Sequence, residues 1–132
     1  MLCLFSQERL GSLGLFCQVL DKEAWFIKML EKHIWICAFM AVGAKHKVTV
    51  GAAEAQHADE VKNLIAELEF AASQATGVRF PSGLQDRLCT YARAVAHFPT
   101  ALKEFEVQNT DAFIRNYLFI HINLSNNVVR WL

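Results

Sequence analysis

The sequence predicts an all-α fold, a multi-helix bundle, on three observations. Apolar side chains recur at three- and four-residue steps over long stretches, which is the helical period. Residues that start and stop helices stand at the ends of those stretches. The chain has 132 residues and is 54% hydrophobic, which is ample material for the core of one domain.

Residues 8 to 20, "ERLGSLGLFCQVL", carry two glycines among apolar residues. They predict a short helix followed by an extended piece ending near Leu20. Asp21 is a candidate N-cap, since its side-chain oxygen accepts an early helix N–H, and Glu23 adds favourable charge in the first turn. One long helix is expected from Lys22 to about Ala44. Trp25, Met29, Lys32 and Ile36 recur at helical steps, as do Phe26, Leu30, His33 and Cys37. The stretch from Ile34 to Ala44 has no charged side chain. It is apolar all round, which marks a helix enclosed by neighbours.

"VTVG", 48 to 51, reads as an extended turn. Glu54 to about Thr76 is the clearest helix, with Val61, Leu64, Ile65, Leu68, Ala71, Ala72 and Ala75 as its apolar stripe. Gly77 is the expected stop, because glycine tolerates positive φ. Beyond Pro81, Ser82 and Gln85 form a capping-box pattern. The helix they open is expected to run to about Ala96, with Leu84, Leu88, Tyr91 and Val95 inward. Pro99 interrupts, and Thr100 is placed to cap a shorter helix through Leu102 and Phe105. The last 20 residues are rich in β-branched and aromatic side chains and follow neither helical nor strand period.

Composition narrows the function. Thirteen basic residues balance thirteen acidic ones, so no charge excess draws nucleic acid. Eleven apolar residues reach only about 16 Å as a helix, short of a membrane. The apolar start at Leu2 to Phe5 is broken by Ser6, Gln7, Glu8 and Arg9, which is unlike a secretory signal. These features predict a soluble, intracellular, cytoplasmic protein. The cysteines at 3, 17, 37 and 89 make no CxxC pair and no zinc-finger spacing, so they are read as thiols, Cys37 and Cys89 buried. Lys45, His46 and Lys47 read as a solvated loop, His33 as a partly buried imidazole with one satisfied nitrogen, and His57 and His97 as flanking helix ends.

Two stretches, "WFIKMLEKHIWICAFMAVGAKHKVTVGAAEA" and "ATGVRFPSGLQDRLCTYARAVAHFPTALKEFE", resemble the C-terminal domain of ketopantoate reductase (2-dehydropantoate 2-reductase). The likeness lies in a lysine opening an apolar helix, a small loop, a "VG" start to the next helix, and a "GV"–proline junction before another helix. It covers about residues 8 to 111. The resemblance implies a domain over 1–111 of the 6-phosphogluconate dehydrogenase C-terminal type, with a divergent tail over 112–132. In that family the helical domain binds substrate, dimerises, and follows a Rossmann domain that holds NADPH, in the pathway to pantothenate. No GxGxxG turn after a strand is present here, and "GSLG" at 11 to 14 is too short. The expectation is therefore that no cofactor is bound by this chain alone.

The resemblance places the catalytic lysine at Lys32. Hydride delivery to a ketone leaves charge on the carbonyl oxygen, which an ammonium stabilises and protonates. A lysine before an apolar segment also serves simply by packing its stem and wetting its head. Ile36 and Met40 stand where the family has substrate-holding asparagines, and neither offers a strong hydrogen bond. The resemblance puts substrate contacts at Thr100, Asp111 and Asn116. The reading that follows is a stand-alone binding or association module, partnered by a second copy or by a separate cofactor-binding domain. The rival is the substrate-binding half of an NADPH-dependent 2-keto acid oxidoreductase. A fragment of such an enzyme is the third reading.

Overall fold

The computed structural model describes the backbone of residues 2–101 and the side chains of residues 6–101. Within them the fold is all-α, with five helices and no strand. They are α1 (Leu2–Ser12), α2 (Lys22–His46), α3 (Val50–Gln56), α4 (Ala58–Thr76) and α5 (Leu84–Ala94). The expected helix after Thr100 and the 112–132 tail lie outside the described residues.

Helix α2 is the axis of the body and packs against α3, α4 and α5. It begins where expected: Asp21 Oδ1 accepts from the Ala24 amide at 2.8 Å. It ends two residues later than expected, at His46, where Lys47 turns the chain in the left-handed region (φ 56) and donates its amide to the Gly43 and Ala44 carbonyls. The enclosed stretch is as expected: Leu30, Ile34, Cys37, Ala38, Phe39, Ala41 and Val42 are buried, and Val61, Leu64, Ile65 and Leu68 of α4 pack with them. Leu84, Leu88, Cys89 and Ala92 of α5 complete that core.

A short helix followed by an extended piece is found as expected, with the helix reaching back to Leu2 and stopping at Ser12; Gly14 then turns at φ 72, and Leu13, Leu15 and Phe16 are exposed. Three other sequence expectations are corrected. The expected Glu54–Thr76 helix is two helices, broken at His57 (φ −126, ψ 35). The first of them starts earlier than expected: Thr49 caps α3 through its Oγ1, which accepts from the Ala52 amide, so Val50 and Gly51 are helical rather than turn. The Ser82 capping box does not form. Gly83, at φ 79, occupies the N-cap position of α5, so Ser82 sits one residue too early. Gln85 instead donates to the Lys62 carbonyl, and Arg87 to the Ser82 carbonyl.

Helix α5 also stops at Ala94, two residues short of expectation, because the next turn is used elsewhere. The Phe98 and Ala96 carbonyls accept from the Val50 and Gly51 amides, both at 3.0 Å. Those are opening amides of α3, which no residue of that helix can satisfy. The approach is close enough to require glycine: a Cβ at Gly51 would stand 2.9 Å from the Ala96 Cα.

Candidate functional site

Two groups of side chains combine chemistry with enclosure. The first is a cleft between α2 and α5, about 280 Å³, lined by Lys28, Glu31, Lys32, Trp35, Arg87, Leu88 and Tyr91. The spacing explains its composition. Residues 28, 31, 32 and 35 follow the i, i+3, i+4, i+7 steps of one helical face, and 87, 88 and 91 do the same on the facing helix.

Glu31 is the cleft's buried charge, 6% exposed. Its carboxylate is held from both sides, by Arg87 Nη2 at 2.6 Å and Lys28 Nζ at 3.0 Å. Arg87 also donates to the Pro81 and Ser82 carbonyls, so it ties α5's entry to α2. Lys32 lies beside this pair. Its Nζ donates to the Tyr91 hydroxyl at 3.1 Å and sits 4.1 Å from the Trp35 ring centre and 4.4 Å from that of Tyr91. Tyr91 meets Trp35 edge-on at 4.8 Å. The wall behind the amine is thus aromatic, with Trp35 from the apolar stretch Ile34 to Ala44 and Tyr91 from α5, and Lys32 itself is exposed. Tyr91, expected inward, is a cleft-edge residue at 42% exposure.

Three cations and one carboxylate face this cleft. Lys28 and Arg87 share the single Glu31 carboxylate and so leave a positive surplus, while the Lys32 amine contacts the Tyr91 hydroxyl and the Trp35 and Tyr91 rings. A small anion with a flat or apolar body finds there a charge and an aromatic platform.

The other sequence-predicted positions fall elsewhere. Thr100 donates its hydroxyl to the Val48 carbonyl at 2.7 Å and packs against Gly43. Gly43 is eleven residues along α2 from Lys32, about 16 Å at the helical rise, so the fold does not bring Thr100 to Lys32. Ile36 and Met40 are half-buried against the core. Asp111 and Asn116 lie outside the described residues. His33 is buried, with Nδ1 3.1 Å from the Met29 carbonyl, as a core imidazole should be.

The second group corrects a sequence expectation. Lys45 and His46 belong to the last turn of α2, and the loop begins only at Lys47. Both reach Glu60 in the first turn of α4: Lys45 Nζ to Oε1 and His46 Nε2 to Oε2, each at 2.6 Å. The Lys45 ammonium, foremost, and then His46 hold the Glu60 carboxyl below its ordinary value of 4.5, against the opposing effect of burial. His57, at the α3–α4 break, stacks on His46 at 3.6 Å between ring centres, with planes 10° apart. This joint was missed because its members are distant in sequence, and only an i, i+3 relation between His57 and Glu60 hints at it.

Cys37 and Cys89 are buried, as expected. Burial, reinforced by the Glu54 charge, pushes the Cys89 thiol up, so it stays protonated and poorly nucleophilic near neutrality. Brief alkylation of the native protein should therefore modify the half-buried Cys17 well before Cys89 or Cys37. Peptide mass mapping before and after denaturation checks this; early modification of Cys89 would contradict its placement.

No protein-family model, no curated protein and no solved structure matches this chain. The functional reading therefore rests on the cleft and the residues that build it.

Proposed function

We propose that this chain is a ketopantoate-reductase-like helical domain acting as a binding module, with a small 2-keto carboxylate as the ligand class taken at Lys32. The observation that carries the reading is the Lys32 amine, held over the Trp35 and Tyr91 rings and bonded to the Tyr91 hydroxyl at the mouth of the α2–α5 cleft, all neutral contacts among the described residues. A carboxylate entering there gains a charge-assisted hydrogen bond from Lys32, and its carbon skeleton lies on the rings. Binding is favoured over independent catalysis by what the amine lacks among the described residues. Ile36 and Met40 offer a substrate no strong hydrogen bond, and the Thr100 hydroxyl is bonded to Val48, away from Lys32. The second reading, the substrate half of an NADPH-dependent oxidoreductase, draws on the same lysine as the proton donor, with nicotinamide brought by another polypeptide.

The test is calorimetric titration of the full chain with ketopantoate and with 2-ketoisovalerate, followed by tryptophan emission. Saturable binding that weakens at least about tenfold in Lys32→Ala, roughly the loss of one charged hydrogen bond, supports the module. No binding by either ligand, or binding indifferent to Lys32, removes it. NADPH oxidation by the chain only when a partner fraction is added, lost in Lys32→Ala, selects the second reading.

A further inference from the structure

The geometry points to a divalent-metal site at the joint of α2, α3 and α4, with His46, His57 and Glu60 as its ligands and an ion of the zinc class as its occupant. One ligand atom from each residue lies within 4.8 Å of the other two, and all three residues are partly buried. Two imidazoles and a carboxylate form a borderline donor set, suited to zinc, cobalt or nickel rather than to calcium or magnesium. The residues are also held in place by the backbone. His46 ends α2, His57 is the break between α3 and α4, and Glu60 is three residues further in the first turn of α4.

Donor atoms on a tetrahedral zinc ion stand about 3.4 Å apart, given bonds of about 2.1 Å. The stacked rings of His46 and His57 are already separated by 3.6 Å. Binding requires the two parallel rings to fan until their lone pairs converge. It also requires Nε2 of His46 to present its lone pair, so the hydrogen it shares with Glu60 passes to solvent and the neutral ring carries its one hydrogen on Nδ1, taken from solvent if it is not already there. Lys45 competes with the ion, because its ammonium holds the same carboxylate at 2.6 Å. Three protein ligands leave a fourth position for water or a ligand atom, as in open rather than purely structural sites. The bound ion clips the end of α2 to the start of α4.

The decisive experiment is titration of the reduced, full-length protein with Co2+, then Zn2+, followed by visible absorption and thermal melting. One Co2+ per chain, displaced by Zn2+, with visible bands but no thiolate charge-transfer band, is the expected result. Glu60→Gln and His57→Ala should each weaken binding at least about tenfold, while Lys45→Met should tighten it a few-fold. His46→Gln serves as a further ligand variant, and far-UV dichroism confirms that each variant is folded. Zn2+ should raise the melting temperature of the wild type and of Lys45→Met, and leave that of Glu60→Gln unchanged. Absence of binding overturns the site. So does a thiolate band, which would assign the ion to cysteine, or affinity unchanged in the folded ligand variants.

Discussion

Replacing Phe39 by alanine is expected to lower the free energy of unfolding by about 3–5 kcal/mol, the range for emptying a buried aromatic position. Phe39 is fully enclosed and is the largest of the fully buried side chains among the described residues. It lies on α2, the helix around which α3, α4 and α5 assemble, and its ring leans on Trp35 at 5.6 Å and 30°. A vacated site there lies in a core cluster shared by α2, α3, α4 and α5, whose helices are held by other contacts, so collapse recovers little of the loss. For a chain of this length the melting temperature should fall by roughly 10–20 °C. Chemical denaturation with parallel far-UV and fluorescence detection measures it. A loss below about 1 kcal/mol would place Phe39 outside the core.

Arg87→Ala should be the most damaging polar substitution, costing about 3 kcal/mol. The cost comes chiefly from what is left behind. Glu31 is 7% exposed at its side chain, and without the 2.6 Å contact to Arg87 its carboxylate keeps only Lys28, itself largely exposed. The Pro81 and Ser82 carbonyls lose a donor at the same time. A double-mutant cycle separates these effects. Glu31→Met alone and Arg87→Met alone should each destabilise, and together they should cost clearly less than the sum, because neither then strands the other. Additive losses would show that the pair contributes no coupling and that Arg87 acts only on the α5 entry.

Much of the fold was legible in the sequence because its signals are local. Asp21, Gly77 and the apolar stripe of α4 act through neighbours within a few residues; the cap and the stop form as predicted, and the stripe is buried from Val61 to Ala72 except for the half-buried Ala71, while Ala75 is exposed. The failures have a common cause in longer-range competition. The Ser82 and Gln85 pair is a sound capping pattern, but Gly83 takes the cap and Gln85 finds Lys62, 23 residues away. The split at His57 could not be read from the apolar stripe, because both helices carry helical spacing and only the Thr49 cap fixes where the first begins. For the candidate site, Lys32 was singled out by the resemblance, since a lysine before an apolar segment also serves by packing its stem and wetting its head. Its surroundings were not legible: Tyr91 and Arg87 come from a helix more than fifty residues later. Thr100 shows the converse, a hydroxyl singled out by resemblance whose bond is to a backbone carbonyl 52 residues earlier.

The paired bonds from Val50 and Gly51 to the turn at 96–98 give α3 an unusual dependence. A seven-residue helix has little persistence of its own, so its order is borrowed from a strap forty-odd residues downstream. If that strap lifts, α3 is freed to fray from its first residue, and the slack is passed to His57 and from there to the histidine stack. A loosening behind the last described helix would thus be felt at a joint it never touches, and the shortest of the described helices would act as its relay.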